Sequence, residues 1–128
     1  MKKFARLCLA LCSLSFFFGT VYAAEQQRDY PVTRLAPHTY MLQGPVGYPS
    51  VENQGFMNNP GFVITRTGVV LIDPGSSVQA GRMVLKQLRT ITRLPVTHVI
   101  NTHVHGDHWL GNQAIVAAYP KAVLMAHP

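Results

Sequence analysis

Short runs of apolar and β-branched residues, separated by turn-forming residues, recur along the chain, and such runs are typical of strands. The first half contains four of them, at residues 32–35, 39–42, 61–66 and 69–73. Pro37 separates the first two runs, and Thr67-Gly68 separates the last two with a pair that favours a tight hairpin turn. The pattern therefore predicts an antiparallel meander.

After the fourth run the apolar positions recur at helical intervals, which indicates a helix over residues 78–90. The apolar residues that recur at helical intervals are Ala80, Val84, Leu88 and Ile91. Ser76 and Gln79 have the spacing of a capping box just before it. The helix therefore begins where the sequence supplies acceptors for its first free amides.

Residues 96–102 form the next apolar run, and we expect this strand to pair parallel to the preceding one because a helix connects the two. An alanine-rich helix over 110–119 and a strand over 122–126 follow. Strands alternating with helices define an α/β fold. We expect few strands, a free sheet edge and a modest core.

Residues 44–60 lack any apolar period and are rich in glycine, proline and asparagine, so they are predicted to form one long loop. Loops of this length usually have a function.

The excess of 11 Lys plus Arg over 5 Asp plus Glu is typical of a nucleic-acid-binding protein. The positions of the basic residues along the chain argue against that interpretation. Lys2, Lys3 and Arg6 precede an uncharged apolar run at 7–18, the pattern of a secretory signal. We predict a signal peptide at 1–23 that is cleaved between Ala23 and Ala24. The run is shorter than the roughly 20 residues of a membrane span, so no stable membrane anchor is expected after cleavage.

Removal of this leader lowers the formal net charge from +6 to +3 and takes both cysteines, Cys8 and Cys12, out of the mature chain. We expect a periplasmic or secreted protein without disulfides, with a flexible stretch at 24–31 and a globular unit at 32–128. The predicted helix carries basic residues opposite its apolar face, namely Arg82, Lys86, Arg89 and Arg93. No aromatic residues interleave with them, which favours a solvated face over a nucleic-acid site.

Four potential metal ligands follow the strand at 96–102 as H-x-H-x-D-H: His103, His105, Asp107 and His108. Alternate residues of an extended segment project to the same side, so His103 and His105 are placed to bind one ion. Gly106 allows the chain to turn, and Asp107 and His108 then hold a second ion or support the first. Open α/β sheets carry their sites at this edge.

Imidazole and carboxylate ligands suit zinc best, although iron and manganese accept the same set. Such an ion lowers the pKa of bound water to near 7 and produces a hydroxide nucleophile. Asp107 is the candidate catalytic residue, because it can orient that hydroxide or accept a proton. The isolated histidines His38, His98 and His127 are interpreted as ordinary structural or surface residues.

The strand at 96–101, the string from Thr102 to His108 and the upstream segment at 69–75 together resemble the metallo-β-lactamase fold superfamily. The resemblance covers residues 32–128 and implies the N-terminal half of an αββα sandwich. It implies that His103 and His105 bind a first zinc ion and that Asp107 and His108 bind a second one. It also implies that Asp73 braces the metal loops without being a ligand.

The sequence from Asn101 to Asn112, together with a secretory leader, is similar to that of the SoxH-related, quinoprotein-associated zinc metallohydrolases of bacteria. This subtype implies a periplasmic quinoprotein partner. In the family, a third histidine, a bridging aspartate and a last histidine come from the C-terminal half, and no position here matches them. The resemblance therefore implies an N-terminal fragment that lacks a complete site.

The loop at 44–60 occupies the place where lactamase-like members carry a mobile flap. Its Tyr48, Phe56 and Met57 are candidates to cover the apolar part of a substrate.

The function predicted from these features is metal-dependent hydrolysis of a small-molecule ester, thioester, lactam or related bond. Two alternatives stay open. One is an iron-dependent oxidoreductase on the same scaffold. The other is a non-enzymatic zinc-binding accessory protein of a quinoprotein system.

Overall fold

The computed structural model describes residues 28–127, so the predicted leader and its cysteines lie outside the described residues. The elements are β1 (Val32–Ala36), β2 (Thr39–Leu42), β3 (Gly61–Ile64), β4 (Val69–Ile72), α1 (Val78–Ile91), β5 (Val96–Asn101), α2 (Gly106–Trp109), α3 (Asn112–Ala118) and β6 (Val123–Ala126). Every predicted strand and the first helix are present. The loop at 44–60 contains neither helix nor strand, as predicted.

The six strands form one mixed sheet in sequence order. Strands β1 to β4 pair antiparallel as a meander, whereas β4, β5 and β6 are parallel to one another. The change of direction follows from the connections, because turns and the long loop at 44–60 join the first four strands, whereas helices connect β4 to β5 and β5 to β6. The parallel part puts the ends of β4 and β5 at one edge of the sheet.

One face of the sheet packs against the helices. Phe62, Leu71 and Val99 lie side by side on neighbouring strands, and each is fully buried. Helix α1 covers them with Met83, Val84 and Leu88, among others, and α3 adds Ile115. The opposite face, which includes Val70, Ile72 and Ile100, is half-buried or exposed. The core of the described residues therefore lies between the sheet and the two helices.

Three local predictions are corrected by the structure. The turn between β3 and β4 spans residues 65–68 and is closed by Thr65, whose amide and hydroxyl both donate to Gly68 O at 2.8 Å. The N-cap of α1 is Ser77, which accepts from the Ala80 amide at 2.9 Å, and not Ser76. The predicted helix at 110–119 is the shorter α3, and a separate one-turn helix that was not predicted, α2, precedes it and contains Asp107 and His108.

The predicted basic face is solvated, as expected, since Arg82, Lys86 and Arg89 of α1 are exposed, as is Arg93 two residues beyond its end. Lys86 pairs with Asp29 at 2.5 Å, and this hydrogen bond holds the pKa of the Asp29 carboxyl below its ordinary value. Ile91 was assigned to the apolar face but is 41% exposed, because it is the last residue of the helix. Within residues 28–127, no helix has the length and apolar character that spanning a membrane requires.

Candidate metal centre

The four predicted ligands lie at the carboxyl end of β5, on the segment that leads into α2. His103 and His105 are exposed, and the side chains of Asp107 and His108 are 29% and 23% exposed. The ring centroids of His103 and His105 are 4.8 Å apart, and those of His103 and His108 are 4.1 Å apart. The structure therefore brings the whole motif into one accessible cluster at the sheet edge.

Asp73 follows the neighbouring parallel strand, β4, and its side chain reaches into the same cluster. It is 6% exposed and takes a left-handed backbone conformation with φ of 49°. Its Oδ1 accepts the Thr102 amide at 2.8 Å, and its Oδ2 accepts the Thr102 hydroxyl at 2.7 Å. Nδ1 of His108 lies 2.8 Å from the same Oδ2. Asp73 thus holds the segment that carries the histidines, and its role as a brace of a metal site stays a prediction.

His108 and Asp107 face each other across 3.2 Å, measured from Nε2 to Oδ2. When a neutral His108 donates its Nδ1 hydrogen to Asp73, its Nε2 carries only a lone pair. Two electron-donating atoms then confront each other, which is unfavourable unless a proton or a cation lies between them. Among residues 28–127, no group of three or more side chains is already arranged to hold a metal ion. The donor types and the confronted pair nevertheless fit a cation of the zinc class.

Asn58 is a residue of this site that sequence reasoning missed. It is 4% exposed, and its Nδ2 donates to the backbone oxygen of Asp73 at 2.9 Å. Its Oδ1 is buried without a hydrogen-bond partner. In the sequence, Asn58 is one of several turn-forming residues in the loop at 44–60, and nothing in the pattern distinguishes it from its neighbour Asn59.

We expect Asn58→Ala to lower the free energy of unfolding by about 1–3 kcal/mol, because the buried Asp73 carbonyl then loses its partner. Chemical denaturation of both proteins measures the difference. Asn59→Ala is the matched control: Asn59 is exposed and accepts the Gly44 amide at 2.9 Å. An equal effect of the two substitutions would show that the contact with Asp73 has no special weight.

The second half of the loop at 44–60 is fixed against the turn between β4 and α1. Ser77 Oγ donates to Gln54 O at 2.6 Å, and Ser76 Oγ donates to Gly55 O and accepts the Met57 amide. Phe56 is 1% exposed, and its ring centroid lies 4.6 Å from that of Tyr30. Its ring belongs to the core, so it cannot contact a substrate in this conformation.

The other two candidates of the flap differ from Phe56. Tyr48 is 90% exposed and lies in the first half of the loop, and Met57 is half-buried. Their role in covering a substrate stays a prediction.

A cavity of about 590 Å³ lies beside the metal cluster, and its wall includes His103, Val104, Trp109 and His127. Trp109 is 42% exposed, and its Nε1 donates to Val104 O at 2.9 Å, which fixes the indole against the metal loop. This position makes the tryptophan ring part of the cavity wall. His38 and His98 are elsewhere, in the β1–β2 turn and on β5.

The sequence profile of the Metallo-beta-lactamase superfamily matches residues 53–128. This range is more than half of the chain and includes the H-x-H-x-D-H motif and Asp73. The chain belongs to this superfamily.

Individual relatives match over shorter stretches. A linear primary-alkylsulfatase from Pseudomonas sp. (strain ATCC 19151) is 38% identical over 50 residues, which are 39% of this chain and 10% of the sulfatase. The chain therefore spans about a tenth of the length of that relative.

Two similar solved structures are given as examples. The metallo-beta-lactamase from Pontibacter korlensis is 22% identical, with a TM-score of 0.60 over 77% of this chain and 43% of that one. The stereoselective inverting sec-alkylsulfatase Pisa1 from Pseudomonas sp. is 20% identical, with a TM-score of 0.58 over 74% of this chain and 14% of that one. They confirm the predicted fold class, the N-terminal half of the α/β metallo-β-lactamase fold.

Proposed function

We propose that the whole protein is a zinc-dependent metallohydrolase that cleaves an ester, thioester, lactam or related bond of a small molecule. The observation that carries this proposal is the cluster of three imidazoles and a carboxylate at the sheet edge, held by the buried Asp73. Superfamily membership supports metal-dependent hydrolysis in general. The alkylsulfatase relative adds sulfate esters of alkyl chains to the bonds that require testing.

The residues proposed to hold zinc are His103, His105, Asp107 and His108. A bound zinc ion supplies Lewis acidity and lowers the pKa of water. The chain contributes the geometry, because Asp73 orients His108 and the Thr102 backbone while the cavity beside His103 admits the substrate. Asp107 is proposed to accept or hold a proton during the reaction, since its carboxylate faces the cluster.

The test is metal analysis of the purified full-length protein, followed by assays against sulfate esters, carboxylic esters, thioesters and lactams. We expect zinc at one or two ions per chain, loss of hydrolysis after chelation and recovery with added zinc. The mono-zinc form of the metallo-beta-lactamase FIM-1 from Pseudomonas aeruginosa, a structural neighbour at 21% identity, supports zinc as the metal. Stoichiometric iron would replace hydrolysis with oxidoreductase chemistry. Full zinc loading without turnover on any substrate, together with co-purification of a quinoprotein, would favour an accessory role.

We also propose that the protein is exported and processed between Ala23 and Ala24. The basic and apolar pattern of residues 1–23 supports this. N-terminal sequencing of the protein recovered from the periplasm tests it, and a cytoplasmic protein that retains Met1 would contradict it.

We expect Tyr48→Ala in the whole protein to raise KM several-fold while zinc content stays unchanged, because an exposed aromatic ring on the loop contributes only to substrate binding. Steady-state kinetics with parallel metal analysis provides the measurement. Leu35→Ala on β1 is the control for loss of an exposed apolar side chain, since Leu35 is 58% exposed. Loss of zinc in Tyr48→Ala would contradict the assignment to a flap.

A further inference from the structure

We propose that Thr102 is a positioning residue that fixes the tautomer of His103 and presents its Nε2 atom to a metal ion. Thr102 Oγ1 lies 2.7 Å from Asp73 Oδ2 and 2.9 Å from His103 Nδ1. The hydroxyl is thus placed between a buried carboxylate and the first histidine of the motif. This inference rests on the proposed metal-binding function and adds a residue outside the motif to it.

The direction of these hydrogen bonds follows from the donors available. A carboxylate only accepts, so the single hydroxyl hydrogen of Thr102 is donated to Asp73. The threonine oxygen can then act towards His103 only as an acceptor, which requires the hydrogen of His103 to be on Nδ1. The Nε2 atom of His103 is left with its lone pair. The opposite tautomer would place two acceptors 2.9 Å apart.

Asp73 acts on His108 in the same way but without an intermediary. Its Oδ2 lies 2.8 Å from His108 Nδ1 and therefore selects the Nδ1–H form of that ring too. One carboxylate oxygen thus sets two imidazoles, whose ring centroids are 4.1 Å apart, to the same tautomer. Metal-binding histidines commonly donate their second ring hydrogen to such a partner, which orients the ring.

The chain contains a natural control for the threonine–histidine contact. On β5, Thr97 Oγ1 lies 3.1 Å from His98 Nδ1 and 3.3 Å from Val69 O, with no carboxylate beside it. The Thr97 hydroxyl donates to a backbone oxygen, and His98 lies outside the cluster of candidate ligands. Thr97→Val therefore removes a similar hydroxyl and leaves the contacts between Asp73, Thr102 and His103 intact.

The first experiment is long-range ¹H–¹⁵N correlation of the imidazoles in the metal-free full-length protein, at about pH 8, where ordinary imidazoles are neutral. We expect Nδ1–H at both His103 and His108. Thr102→Val should move His103 towards the Nε2–H form and leave His108 unchanged, whereas Thr102→Ser should keep the original form of both. Nε2–H at His103 in the unmodified protein would overturn the proposal, whether or not any variant folds.

The second experiment is competition of each variant with a zinc chelator. We expect Thr102→Val to weaken zinc binding about tenfold, near the lower end of losses for residues that support a ligand, and Thr102→Ser and Thr97→Val to stay within about twofold of the unmodified protein. Equal affinity of Thr102→Val and the unmodified protein would overturn the proposal. The expected tautomers without hydrolysis of any substrate would instead reject the proposed function and leave the positioning role intact.

Discussion

Replacement of His103 or His105 by alanine is expected to remove zinc and abolish hydrolysis in the full-length protein. Residues that only support a metal ligand typically cost about 10–100-fold when mutated, so the loss of a ligand itself should exceed 100-fold. The two rings meet edge-on with centroids 4.8 Å apart, and His103 forms part of the cavity wall. Neither has a structural role in the core, since both are exposed. The fold should therefore survive.

The measurements are metal content, initial rate and the midpoint of urea unfolding for each variant. Two controls separate the metal cluster from ordinary surface residues. His98→Ala removes an exposed histidine from β5, and Lys86→Ala removes an exposed cation from α1. Both should retain zinc and activity. If His98→Ala or Lys86→Ala lost as much activity as the motif variants, the assignment of His103 and His105 as ligands would be refuted.

Asp73→Ala is expected to have the largest effect on stability, a loss of about 3–5 kcal/mol, because Thr102 loses two hydrogen bonds to a charged acceptor, each worth about 1.5–3 kcal/mol. Its carboxylate is the acceptor for the amide and hydroxyl of Thr102 and lies 2.8 Å from Nδ1 of His108. Alanine also fits the left-handed conformation of residue 73 poorly, whereas aspartate and asparagine tolerate it. Denaturant unfolding provides the measurement.

Asp73→Asn separates the charge from the backbone conformation. Asparagine keeps the size of the side chain and one acceptor oxygen, so the stability loss should be clearly smaller than in Asp73→Ala. Its NH₂ group cannot accept, and zinc affinity should still fall about 10–100-fold because the second acceptor is gone. If Asp73→Asn bound zinc as tightly as the unmodified protein, Asp73 would serve only to stabilise the local backbone conformation and would not influence the candidate ligands.

The sequence predicted the elements well because each depends mainly on its own residues. The β-branched runs of β3 and β4 predict strands, and the periodic apolar positions of α1 predict a helix, without information from distant residues. The errors lie at boundaries, where chain neighbours compete. The sequence predicted Ser76 as the N-cap of α1, but in the structure Ser77 has that role. The Ser76 hydroxyl instead forms hydrogen bonds with the loop at Gly55 and Met57.

The H-x-H-x-D-H motif could be found from sequence because its four candidate ligands lie within six positions. Asn58 and Phe56 could not be assigned in the same way. Asn58 is 15 residues before Asp73, and its importance comes entirely from being folded against that carbonyl. Phe56, in a segment of turn formers, was predicted to cover part of a substrate, yet it packs in the core against Tyr30.

The sequence by itself determined the order of strands and helices, the donor types of the site and their place after a strand, because these are properties of contiguous residues. Only the tertiary structure decided how the donors are held. Parallel pairing of β4 with β5 brings Asp73 to Thr102 and His108, 29 and 35 residues further along the chain. A hydrogen bond forms only when donor and acceptor lie about 3 Å apart, so these contacts exist only once distant segments of the chain have packed together.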